Sequence, residues 1–211
     1  MSFRIEEKIV LKIDSFLELK KYLKDNNCKK LFPKRKISSI YFDNKNFGTH
    51  FDSEEGLLPR KKFRFRCYPS EKNIKWFQET KISSVEGKYK TSKKIDNDLY
   101  LKTLKCGFFD SQYGSCFPTI KISYTREYWS IADSRITIDY NIKYENFKDN
   151  EATFEDKERL IVELKSAKDL IKNLNFLNDN LPFERQRFSK YCEGINRLYN
   201  KDHHQRLQNF I

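Results

Sequence analysis

Residues that break regular structure are scarce here: 6 glycines and 5 prolines in 211 residues. With aromatic residues at 15%, so few breakers exclude a collagen-like chain or a disordered basic tail. Cysteine is limited to 5, an odd number, and Cys28, Cys67, Cys106, Cys116 and Cys192 form no Cys-x-x-Cys pair. That usage points to reduced thiols in a cytoplasmic protein. The 3 histidines, two of them adjacent (His203 and His204), are little material for a histidine metal site or a catalytic triad. No apolar run approaches the about 20 residues of a membrane-spanning helix, so no membrane segment is expected. Met1 to Lys12 is too charged for a signal peptide. Neither an internal repeat nor a low-complexity block is visible.

What the chain has in excess is positive charge: 42 Lys and Arg against 30 Asp and Glu, a formal +12. Such a balance favours a polyanionic partner, whether nucleic acid, an anionic membrane surface or phosphate-rich small molecules. The charge is patterned. In Arg60-Lys61-Lys62-Phe63-Arg64-Phe65-Arg66, a period of two puts Lys62, Arg64 and Arg66 on one face and Phe63, Phe65 and Cys67 on the other. Like charges about 7 Å apart along one face repel. Two readings accommodate them: a solvated edge strand studded with cations, or a face that an anion completes.

Similar strands recur. Arg4 to Leu11, Ile37 to Asp43, Arg60 to Tyr68, Trp76 to Lys81, Lys88 to Lys94, Thr119 to Trp129, Arg135 to Tyr140 and Leu160 to Lys165 all read as strands, several with charge on one face only. A helix capped by Asp14 or Ser15 is expected to run to about Asn26, a second from Asp98 to Cys106, and others from Ala167 and after Phe188. Asn44 to Gly56 reads as a turn-rich connection. Short links imply antiparallel pairing, and seven or eight such strands fit a closed or nearly closed barrel with its charges inward. A sandwich with its apolar faces together and its charges in water fits the same alternation.

The order of the motifs carries a resemblance. Arg4-x-Glu6-x-Lys8, Tyr41-Phe42-Asp43, Lys62-x-Arg64-x-Arg66, Glu79-x-Lys81, Tyr124-x-Arg126, Arg135-x-Thr137-x-Asp139, Glu163-x-Lys165 and Arg187-Phe188-Ser189-Lys190-Tyr191 follow one another as in the VTC catalytic domain. That domain is the polyphosphate polymerase branch of the triphosphate tunnel metalloenzymes, and the similarity runs from about Phe3 to about Gly194. It implies a mainly β (α+β) fold, a closed eight-stranded antiparallel β-barrel tunnel with helices packed outside. One domain over residues 1–199 and a short tail over 200–211 would make up the chain. The implied reaction is transfer of the ATP γ-phosphate to a polyphosphate chain, with Mn²⁺ or Mg²⁺ as cofactor.

The resemblance also implies roles. Lys8, Arg64, Arg66, Lys81, Arg126, Arg135 and Lys190 would be catalytic, the arginines as planar forks on phosphate oxygens and the lysines as point charges. Arg4, Lys62, Lys88, Lys90, Tyr124, Lys165, Arg187 and Ser189 would bind substrate. Glu163, helped by Glu6, would hold the metal, while Glu79 and Asp139 would help it or pair with neighbouring cations. The chain departs from the tunnel triphosphatases, which begin Glu-x-Glu-x-Lys, by carrying Arg4 at the first of those positions. One fewer acid and one more base suits a long polyanion.

The expected partners are ATP or another triphosphate and polyphosphate, with no nucleic acid. Neither a signal-sensing domain nor coupling to translocation is expected. Two other functions stay open: an inorganic or nucleoside triphosphatase on the same fold, and a non-catalytic polyanion binder of polyphosphate or RNA. A lone Glu163 among cations discriminates, because simple polyanion binding has no use for it.

Overall fold

The computed structural model describes residues 5–131, 134–149, 152–166 and 186–208. Alternating segments become the strands β1 (Ile5–Lys12), β2 (Lys29–Asp43), β3 (Arg60–Cys67), β4 (Trp76–Ser84) and β5 (Gly87–Ile95). They continue with β6 (Phe108–Asp110), β7 (Gly114–Ile131), β8 (Ser134–Asn146), β9 (Thr153–Asp156) and β10 (Arg159–Ser166). Four α-helices are described: α1 (Phe16–Asp25), α2 (Gly48–Glu55), α3 (Asn97–Cys106) and α4 (Lys190–Gln208).

The hydrogen-bonded order is β1-β10-β8-β7-β2-β3-β4-β5, with β6 added to β7 and β9 to β8. This corrects the expected closed barrel of eight strands: among the described residues ten strands form one sheet, and its order is open. The two additional strands, β6 and β9, span three and four residues, too short for a period-two pattern to register. The sheet ends at β5, where Lys88, Lys90, Lys93 and Lys94 are exposed. Lysines on an edge strand discourage further pairing.

Other departures have local causes. Ser15 makes no side-chain cap, and Asp14 lies in a 3-10 turn over Ile13–Ser15 that leads into α1. Helix α3 is capped by Asp96, whose Oδ1 accepts from the Leu99 N–H at 2.8 Å. Within the expected connection from Asn44 to Gly56 lies a helix, α2. Its first N–H groups are satisfied from outside the usual cap position: Asp43 accepts from Thr49 N at 2.9 Å and His50 N at 3.0 Å. Strand β2 starts eight residues before the expected Ile37, because Lys29–Lys36 has no apolar alternation to announce it. The helix expected from Ala167 lies outside the described residues.

The chain forms two compact units. The first comprises Met1–Lys36, Tyr124–Ile142 and Asp156–Phe188. Its core joins Leu19 and Leu23 of α1 to Ile9, Ile136, Ile138, Val162 and Leu164, the alternate residues of β1, β8 and β10. The second comprises Ile37–Ser123, Lys143–Glu155 and Ser189–Ile211. There Ile40, Phe42, Phe63 and Phe65 pack with Ile95, Tyr113 and Cys116, bordered by Tyr100 and Leu104 of α3. Helix α4 comes close to the strands of this unit through Gly194, where a Cβ would meet Tyr144 at 2.6 Å and also collide with Ile120. In each unit a helix packs on the apolar face of strands whose alternate residues are charged.

Candidate functional site

In the second unit the ladder sets Lys62 opposite Lys81 and Lys81 opposite Lys90, three like charges in a row across β3, β4 and β5. Cations directly opposite on neighbouring strands destabilise a sheet unless an anion intervenes. One row along, Tyr41, Arg64, Glu79 and Ser92 stand in line, and beyond them Ser39 faces Arg66. Arg64 and Arg66 are only 8% and 7% exposed. The Arg64 guanidinium donates through Nε to Glu79 Oε2 at 2.6 Å and through Nη1 to Tyr41 Oη at 3.0 Å. Arg66 Nε donates to Ser39 Oγ at 3.1 Å and stands 3.9 Å from Glu79 Oε2. The other Glu79 oxygen pairs with Lys90 and accepts from Ser92 Oγ at 3.5 Å.

One buried carboxylate thus holds three cations, and the electrostatics follow. Burial would raise the Glu79 carboxyl, but Arg64, Arg66 and Lys90 outweigh it and bring the group down to about 2. Burial likewise pushes the Tyr41 phenol up, and the charges of Arg64, Arg66 and Lys62 overcome it, leaving it below its usual value. Burial lowers Lys90; Glu79 opposes this, while Arg64 and Arg66 reinforce it.

Lys62 Nζ donates to Ser189 Oγ at 2.9 Å, which brings the segment before α4 to β3. Tyr191, the second residue of α4, stacks on Tyr41 with centroids 5.1 Å apart and donates its hydroxyl to Asp43. Of the residues named from sequence, this unit gathers Lys62, Arg64, Arg66, Lys81, Lys90 and Ser189. Lys88 lies opposite Ser83 on the same face as Lys90, with no bulge between them. Lys190 is half-buried at the start of α4. Tyr41, Asp43, Tyr191 and Ser39 were not named as site residues. Tyr41 had a signal, since it alternates with core-facing Ile40 and Phe42, but nothing in the sequence announces its stacking on Tyr191.

The first unit offers a second charged face, richer in acid. Across β1, β10 and β8, Lys8, Glu163 and Thr137 stand in one row and Glu6, Lys165 and Arg135 in the next. Arg126 grips Asp139 with both prongs, Nε to Oδ1 at 2.5 Å and Nη2 to Oδ2 at 2.7 Å, and its Nη2 lies 3.9 Å from Glu163 Oε2. Although burial opposes the charge, Asp139, Tyr124 and Glu163 hold Arg126 firmly protonated. Its guanidinium also sits 5.3 Å from the Tyr124 ring centroid. Lys165 Nζ bridges two carboxylates, 2.7 Å from Glu6 Oε1 and 3.1 Å from Glu163 Oε1. Lys8 Nζ donates to the Phe188 carbonyl at 2.7 Å. Two buried atoms on this face, Arg135 Nε and Thr137 Oγ1, have no hydrogen-bond partner among the described residues, a deficit of about 1–3 kcal/mol each that a polar ligand would relieve. Arg187 is exposed, and Arg4 lies outside the described residues.

For a divalent metal, no three His, Cys, Asp or Glu side chains converge among the described residues, so the protein alone forms no closed cage. Glu6 and Glu163 nevertheless share one cation already, the Lys165 ammonium. A pair of carboxylates around a common positive charge fits the way Mg²⁺ is held by one or two carboxylates while phosphates and water complete its oxygen shell. Asp139 is taken up by Arg126.

Comparison with known proteins bears on the fold and the family. The VTC domain family matches residues 3–113 and 105–199. A proposed adenylate cyclase from Bacillus halodurans superposes with a TM-score of 0.64 at 13% identity, over 94% of this chain and 98% of its own. Another from Vibrio parahaemolyticus gives 0.58 at 14% identity, over 92% of this chain and 98% of its own. A protein from Pyrococcus horikoshii gives 0.55 at 16% identity, over 89% and 95%. At such identities the likeness is one of fold. Comparison with curated proteins gives no match. No helix among the described residues is long and apolar enough to cross a membrane.

Proposed function

This chain belongs to the VTC domain family, and from that premise we propose that it transfers the γ-phosphate of ATP to a growing polyphosphate chain. The observation that carries the reading is the row Lys62, Lys81, Lys90 beside buried Arg64 and Arg66. A single carboxylate, Glu79, ties Arg64, Arg66 and Lys90 together, which leaves the face short of negative charge. Phosphoryl transfer asks little covalent chemistry of a protein; it asks for aligned phosphates and balanced charge. Arg64 and Arg66 are held by Glu79, Tyr41 and Ser39 before substrate arrives, so little reorganisation opposes binding. Lys62 and Ser189 form an adjoining donor pair for a phosphate oxygen. Lys88 and Lys190 are further phosphate contacts in the same unit, and on the charged face of the other unit Lys8, Arg126 and Arg135, with Tyr124, Lys165 and Arg187, are candidate phosphate contacts in their own right. Glu163 and Glu6 would hold a divalent cation, which when bound neutralises charge on phosphate oxygens.

The test is to incubate the purified chain with ATP and Mn²⁺ and resolve the products. Polyphosphate supports the reading. Free phosphate alone would assign a triphosphatase, and no turnover with retained tripolyphosphate binding would assign a polyanion-binding protein.

A further inference from the structure

The half of β2 from Lys29 to Lys36 plays no part in the site described above. It reads Lys29-Lys30-Leu31-Phe32-Pro33-Lys34-Arg35-Lys36, five cations in eight residues with no carboxylate. All but Arg35 are exposed, and the ladder to β3 takes in Ser38 to Phe42, beyond this segment. Lys29, Lys34 and Lys36 have no ion pair among the described residues, so their charge is not spent on the fold. Two large apolar side chains stand out among them, Leu31 at 40% and Phe32 at 48% exposure.

We propose that this segment is a docking surface for anionic lipid headgroups on a membrane. The charge calls for an anionic partner, and the interleaved Leu31 and Phe32 call for one with an apolar layer beneath its charges. A lipid surface supplies both. A free phosphate chain would leave the apolar pair in water. Single-stranded nucleic acid would need an open ring face for stacking, but Phe32 meets Tyr128 edge to face at 5.6 Å and carries the Arg35 guanidinium 5.5 Å from its centroid. Those contacts fix the ring in place beside its cations, as an anchor at a headgroup layer would be. Lys30 is likewise steadied, 5.4 Å from the Trp129 ring centroid. The surface is independent of the reaction proposed above.

The experiment uses the full chain with vesicles of phosphatidylcholine, alone or with about one third phosphatidylserine, in a flotation assay at physiological salt. Binding is expected only to the anionic vesicles. Lys29→Gln, Lys30→Gln, Lys34→Gln and Lys36→Gln combined should weaken it by about several hundredfold, since each cation near an anionic surface is worth about fivefold. Leu31→Ser with Phe32→Ser should weaken it while leaving its salt dependence in place. Circular dichroism and unchanged tripolyphosphate affinity would show that both variants remain folded. Equal binding by the lysine variant and the unmodified chain would overturn the proposal. So would absence of binding to anionic vesicles, or a poly-U RNA affinity that falls with the four lysines while vesicle binding does not.

Discussion

Glu79→Gln removes the one carboxylate shared by Arg64, Arg66 and Lys90 and keeps the size of the side chain. Its magnitude can be worked from the titration of the group. Glu79 ionises at about 2 where an ordinary glutamate ionises at 4.5. At 1.36 kcal/mol per pH unit this sets a ceiling of about 3 kcal/mol of stability at neutral pH, and solvent screening around half-exposed Lys90 reduces it to about 1–3 kcal/mol. In a domain of this size that is a fall in Tm of about 3–10 °C. The sign is fixed by the direction of the displacement. A carboxyl ionising lower in the folded than in the unfolded chain stabilises fully above about 4.5, and the contribution is lost as pH falls toward 2. The Tm gap between the unmodified chain and Glu79→Gln is therefore expected to be widest at pH 6–7, to narrow below about pH 4.5 and to close near pH 2. Tripolyphosphate should have the opposite preference and bind the variant more tightly, because it no longer competes with Glu79 for the cations. Thermal melts from acid to neutral pH, with and without tripolyphosphate, check both. Equal Tm values at pH 7, or a gap that does not change with pH, would refute the reasoning.

Lys62→Gln, which removes one cation from the row and its bond to Ser189, should weaken tripolyphosphate binding by about tenfold to a hundredfold, read by calorimetry, while Tm is hardly changed. Tyr191→Phe keeps the ring on Tyr41 but takes a donor from buried Asp43; a loss of about 1.5–3 kcal/mol in denaturant unfolding is expected, with recovery of normal stability refuting the bond's importance. For Glu163→Gln, turnover and its response to Mn²⁺ should both disappear while metal-free tripolyphosphate affinity is kept or improved; turnover with an unchanged metal response would show that Glu163 is only an ion-pair partner of Lys165 and Arg126. Tripolyphosphate should raise the Tm of the unmodified chain well beyond chloride at equal ionic strength, and no such difference would argue against a built anion site.

Alternation by itself determined a good deal of this molecule. That Lys62, Arg64 and Arg66 share a face, and that Glu163 and Lys165 oppose Val162 and Leu164, follows from the two-residue repeat of a strand, a property of each segment alone. The family likeness, too, is written in the order of short motifs. Tertiary structure decided what that repeat leaves open. Which cation meets which carboxylate depends on register between strands, consecutive or far apart in sequence: Arg64 finds Glu79 across β3 and β4, Lys165 finds Glu6 across β10 and β1, and each register is set by many pairings at once. Asp43 shows the same limit. No capping pattern links it to α2, because its bonds to Thr49 and His50 exist only once the chain has turned back on itself. The open order of the sheet was invisible for a related reason. Alternation says which side of a strand is charged and nothing about its neighbours, so whether a row of strands closes is decided by long-range hydrogen bonding, and here β1 and β5 are the ends of the order.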